Sequence, residues 1–114
     1  MERGAQRTVG RQVAVLLSPE AVADLHDAHD RYRQIAADLA DAFAEAVEGV
    51  IERLTLFPHS GTPVEGFGDL RRARLTRFPY GVFYRLTDRG EVRILRVLHD
   101  RQDRPSGMSA PPTG

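Results

Sequence analysis

The 114-residue chain contains no cysteine, no lysine and no tryptophan. The first absence excludes disulfides, thiolate metal sites and any chemistry through a thiol, and it fits a reducing compartment. The second makes all 16 cations arginine. A G+C-rich genome accounts for that choice by itself. Its consequence is physical all the same, because arginine offers a planar fork to carboxylates and phosphates and stays charged at any working pH. With five Phe, three Tyr and no Trp, a small domain needs most of its aromatics inside. No run reaches the length of a membrane-spanning helix. The segment "VAVLL" near the start is too short and too β-branched for the apolar part of a signal peptide and reads as a strand. A cytoplasmic location and no membrane partner are therefore expected. There is no internal repeat, no glycine-rich phosphate loop and no G-x-S-x-G. His26 and His29 stand three apart with no third ligand nearby, and His59 sits alone in a loop. No metal and no cofactor are expected.

What is present supports a single domain with one hydrophobic core. Residues 1–10 read as a flexible leader, 11–104 as the folded domain and 105–114, rich in Pro and Gly, as a flexible tail. After the strand "RQVAVLLS", Ser18 and Pro19 form a helix start, Ser at N-cap and Pro at N1, with Glu20 in the first turn. The helix that follows places Val22, Leu25, His29 and Tyr32 at helical spacing, and Asp24, Asp27, Asp30 and Arg31 opposite. A second helix runs through Leu39, Phe43, Val47, Val50, Ile51, Leu54 and Phe57. Its outer face holds Asp38, Asp41, Glu45, Glu48 and Glu52. The apolar spacing slips at 35–37, which predicts two helices rather than one, and Pro58 ends the second.

Residues 58–69 have the composition of a loop. Three strands are predicted beyond it, "LRRARL", "YGVFYRL" and "EVRILRVLH", the last two joined by the tight turn "TDRG". The fold class is α+β, in the order β-α-α-β-β-β, with an antiparallel sheet packed against a helical hairpin and its other face partly open. Both faces of the last strand are partly apolar, which predicts a central strand or a bulge.

The net charge of zero hides an asymmetry. Residues 1–59 hold six Arg and ten acids, whereas residues 60–114 hold ten Arg and six acids. The cations concentrate in "LRRARLTR", directly before a run of aromatic and β-branched residues. Arg71, Arg72, Arg74, Arg77, Arg85 and Arg101 form a candidate basic surface for a polyanion or an acidic protein segment. Tyr80, Phe83 and Tyr84 are either core or stacking groups.

The blocks "LLSPEAVADL", "LADAFAEAVEGVIERLTLFPHSGTP", "LRRARLTRFPYGVFYRL" and "VRILRVLHDRQD", across roughly residues 12–105, resemble the RelE/ParE superfamily of toxins of type II toxin–antitoxin systems. The resemblance is closest to the ParE-like, plasmid-stabilisation type. It implies a cognate antitoxin that lays an acidic segment over the toxin, a toxin–antitoxin hetero-oligomer, and either DNA gyrase or the ribosome with its mRNA as target. RelE-like members cut mRNA, which needs a base, cations around the phosphate and an acid. Arg72, Arg85 and His99 are the residues here that fit those roles, with Arg74 and Arg101 in support. RelE-like sites also favour lysines and a C-terminal tyrosine, and this chain has no lysine and no tyrosine after residue 100. The leading expectation is a ParE-like toxin that inhibits growth by binding gyrase. The alternatives are a ribosome-dependent endoribonuclease and a non-toxic interaction module.

Overall fold

Ser18 starts the first helix as its composition predicts: its hydroxyl accepts the Ala21 N–H at 3.0 Å, with Pro19 at the first helical position. The computed structural model describes residues 13–101. They form β1 (Val15–Leu17), α1 (Pro19–Ile35), α2 (Ala37–Leu56), β2 (Thr62–Pro63), β3 (Arg71–Arg74), β4 (Tyr80–Leu86) and β5 (Val92–His99). The predicted leader, 1–10, and tail, 105–114, lie outside the described residues. Ala36, at φ −164° and ψ 140°, is the extended residue that divides the two helices. It stands within the stretch where the apolar spacing slips.

The five strands lie in the order β1-β5-β4-β3-β2. β3, β4 and β5 form the expected antiparallel meander. Two features correct the sequence reading. β1 runs parallel to β5, so the sheet is mixed. The helical hairpin separates β1 from the meander and supplies the long crossover that a parallel edge strand requires. The stretch 58–69, read entirely as loop, contains the two-residue edge strand β2, which pairs antiparallel with β3. Its Pro63 cannot donate to the ladder and suits only such an edge.

Both helices pack on one face. Tyr32, Phe43, Phe78 and Tyr80 form the aromatic centre of the core, with Tyr32–Phe78 centroids 5.1 Å apart and Phe43–Tyr80 5.4 Å apart. Val82, Tyr84, Val92, Ile94 and Val97 extend this core along the sheet. On the opposite face a smaller cluster forms. Leu70, Phe83 and Leu98 are buried there, with Val64, Phe67 and Leu95 against them. The "open" face is thus roofed in part by the loop 64–70.

The predicted bulge is in β5. Phe83 pairs with Arg96 and Tyr84 with Ile94, leaving Leu95 as the extra residue. Helix α1 satisfies the backbone groups this irregularity exposes. The Ser18 hydroxyl donates to the Leu95 carbonyl at 2.8 Å, and the Val97 N–H donates to Asp24 at 2.9 Å. Asp24 also accepts from two nitrogens of Arg96, at 2.8 and 3.0 Å. Asp24 therefore does not belong to the solvent face of α1, where periodicity alone put it; it faces the sheet as the counter-ion of a strand arginine. That hydrogen bond raises the Arg96 guanidinium further above its ordinary range.

Candidate binding surface

Strand register sorts the predicted arginines. Arg72 lies opposite Phe83 and Arg74 opposite Gly81, while Arg85 shares its parity with both. These three are on the sheet face away from the helices. Arg71 has the other parity. Its guanidinium donates to the carbonyls of His59 at 3.1 Å and Gly61 at 2.8 Å, which fastens the loop before β2. Arg77 is exposed in the β3–β4 turn with a positive φ of 73°. Arg101 is exposed just beyond β5, its N–H donating to His99 Nδ1 at 3.0 Å. The six candidates thus divide into a face group, a loop fastener and two residues at one end of the sheet.

The face group is only partly neutralised. Arg74 pairs with Asp100 at 2.7 Å, and Arg85 with Asp69 at 2.8 Å. The methylenes of Arg72 lie across Gly81, where an added Cβ would come within 2.9 Å of them. Glycine at 81 is what lets that stem lie flat. The sequence reading missed Arg93. It is exposed, lies directly opposite Arg85 across β4 and β5, and pairs on its other side with Leu16 of β1. Alternation gives a face but not a partner: the register across the β4–β5 turn, which sets Leu86 against Val92, is what brings Arg93 beside Arg85.

The three nuclease candidates do not share a face. His99 lies opposite Tyr80, on the helix side, with the two rings in edge contact at 5.1 Å. Arg31 donates to the Tyr80 hydroxyl at 3.1 Å, an interaction that raises the guanidinium above its ordinary range. Arg72 and Arg85 are on the opposite face. Nor do the aromatics offer stacking surfaces: Tyr80, Phe83 and Tyr84 are all buried. The Tyr84 hydroxyl accepts the Gly61 N–H at 2.9 Å and donates to the Pro58 carbonyl at 2.8 Å, so its polar end is spent on the loop. Burial pushes this phenol above the usual tyrosine range.

Charge is segregated by layer. The stretch 19–56 holds nine acids and three arginines; the stretch 58–101 holds five acids and nine arginines. Asp27, Asp30, Asp38, Asp41, Glu45, Glu48 and Glu52 are all exposed on the helices. Among the described residues no three His, Asp or Glu are grouped as metal ligands. Among the described residues no helix is long and apolar enough to cross a membrane.

Residues 15–104 match the family profile of the ParE toxin of the type II toxin–antitoxin system parDE. Toxin ParE1 of Mycobacterium tuberculosis, in strains CDC 1551 / Oshkosh and H37Rv, is 32% identical over 89 residues, which is 77% of this chain and 90% of that protein. A chain from the chromosomal ParDE TA system of P. aeruginosa superposes with a TM-score of 0.59 at 22% identity, over 77% of this chain and 96% of that one. A chain of the toxin–antitoxin complex RelBE2 from M. tuberculosis gives 0.57 at 27% identity, over 78% and 92%. The profile spans most of the domain, and the curated relative is matched over nearly its whole length: the chain belongs to the ParE toxin family of type II toxin–antitoxin systems.

Proposed function

We propose that this toxin arrests growth by binding a cellular target, with DNA gyrase as that target, and that a cognate antitoxin neutralises it in a cytoplasmic toxin–antitoxin hetero-oligomer. The observation that supports binding over cleavage is the separation of His99 from Arg72 and Arg85 on opposite faces of the sheet. Metal-free RNA cleavage requires an acid or base and phosphate-holding cations around one phosphorus. A binding toxin requires only a surface, and the partly neutralised arginines beside apolar Leu16 and Leu95 supply one.

The similarity to the RelBE2 complex supports a second reading, a ribosome-dependent endoribonuclease with His99, Arg72 and Arg85 as its residues. One experiment separates the two. The purified chain is added to a gyrase supercoiling reaction, and mRNA 5′ ends are mapped in cells after induction. The proposal expects supercoiling to fail in the reaction and transcripts to stay intact in the cells. New 5′ ends within codons, lost on His99→Ala, would replace it with the nuclease reading.

A further inference from the structure

The apolar stripe of α2 does not end in the core. Phe57, its last member, is 62% exposed, and Leu56 beside it is exposed as well. The fold nevertheless fixes the backbone that carries this ring. The Phe57 N–H donates to the Arg53 carbonyl at 2.7 Å and closes the helix. The next three carbonyls are all taken. That of Phe57 accepts from the Ser60 N–H at 3.0 Å, that of Pro58 from the Tyr84 hydroxyl at 2.8 Å, and that of His59 from Arg71 at 3.1 Å. A ring projecting from a backbone held this way loses little further freedom on binding. Arg53, one turn back on α2, is exposed, and its guanidinium donates to the Arg74 carbonyl at 3.3 Å. A receptive feature lies on the helical hairpin itself. Leu25 and His29 of α1 and Phe43, Ala44, Val47 and Glu48 of α2 line an open pocket of about 240 Å³. A cavity of about 150 Å³ admits a benzene ring, so this one has room for a phenyl group. Glu48 is exposed and forms no ion pair among the described residues.

We propose that a second copy of this chain seats its Phe57 in that pocket, with its Arg53 beside Glu48, so that the isolated protein associates head to tail. The occupant follows from complementarity of shape and charge. The ring fits the pocket, and the cation that accompanies the ring meets the unpaired carboxylate at the pocket wall. Ring and pocket are different parts of the surface, so the contact is heterologous and leaves one of each unused at the ends of the assembly. A two-fold pairing of α2 with α2 that brought Phe57 to Val47 would centre near Glu52 and set the acidic faces of both copies together. Like-charge repulsion disfavours that arrangement. A contact made of one ring and its rim is small, so the association is weak and concentration-dependent. The proposal goes beyond the reading of this chain as a toxin and requires neither gyrase nor an antitoxin.

The test is sedimentation equilibrium of the full chain from about 10 µM to about 1 mM. The average mass rises with concentration and passes that of a dimer, and added salt lowers it. Phe57→Ser removes the ring and Ala44→Leu fills the pocket. Each variant weakens the association at least about tenfold, the effect of losing a buried aromatic anchor. An equimolar mixture of the two variants restores a single intact contact, between the pocket of Phe57→Ser and the ring of Ala44→Leu, and gives a dimer that grows no further. Glu48→Arg, a surface change that leaves packing alone, weakens the association as well, and Arg53→Glu in the same chain restores it. Phe57→Ser leaves the urea midpoint unchanged, because the ring is not part of the core. A chain that stays monomeric throughout, a mass that stops at the dimer, association untouched by Phe57→Ser, or a variant mixture that stays monomeric overturns the proposal. The readout contains no growth or gyrase step, so its failure and that of the proposed target are distinguishable.

Discussion

At the residue scale, the hydroxyl of Tyr84 joins the sheet to the chain after α2. It lies under a glycine whose replacement would bring a Cβ within 2.6 Å of it. Tyr84→Phe removes two hydrogen bonds from a fully buried side chain. It is expected to cost about 1–3 kcal/mol in urea denaturation at neutral pH. The pH dependence has a definite sign. Burial raises the Tyr84 phenol, and likewise that of Tyr32, so the folded chain holds these protons more tightly than the unfolded one. That stability is fully present below the unfolded value near 10 and is lost as pH rises through the folded values. Unfolding free energy measured from pH 8 to 11 therefore declines above about pH 10, and Tyr84→Phe makes the decline shallower. An unchanged slope in the variant contradicts the assignment. Nothing in the sequence distinguishes Tyr84 from the other aromatics of β4, because its role depends on a loop 23 residues away in the chain.

At the element scale, α1 is more than a lid on the sheet. Its Ser18 and Asp24 satisfy the backbone groups freed by the Leu95 bulge, and Asp24 holds Arg96 through two bonds. Asp24→Ala leaves a half-buried arginine and a strand N–H without that partner. We expect a loss of about 2–4 kcal/mol, read from chemical denaturation; a loss below 1 kcal/mol would show that the bulge does not depend on α1. Much at this scale is legible in the sequence. The N-cap at Ser18, the break at 35–37, the stop before Pro58 and the turn before Glu91 all follow from local chemistry. The parallel direction of β1, the edge strand β2 and the inward turn of Asp24 do not. Each is decided by contacts between segments far apart in sequence, where propensity and periodicity carry no information. The site shows the same division. The arginines are evident as a composition bias, but their faces depend on register. The register across the β4–β5 turn sets the pair that lies together, Arg85 with Arg93.

At the scale of the whole molecule, a net charge of zero conceals an acidic helical layer and a basic sheet. A neutral protein built this way presents oriented surfaces to charged partners, and the encounter is steered by that separation and weakened by salt. Most of the exposed carboxylates lie on the layer away from Arg72, Arg85 and Arg93, so a second copy approaching through the same face meets like charge. An acidic partner segment does not. The resemblance read from sequence blocks and the architecture agree on a ParE toxin, while the division of His99 from the face arginines gives the reason to expect a toxin that binds rather than cuts.

The most direct measurement is growth after tightly controlled induction of this chain alone and together with the neighbouring gene. The account predicts arrest by the chain and recovery when the neighbour is co-expressed. Undiminished growth, with the intact protein detected in the cells, would contradict it and leave an interaction module whose basic face serves only its partner.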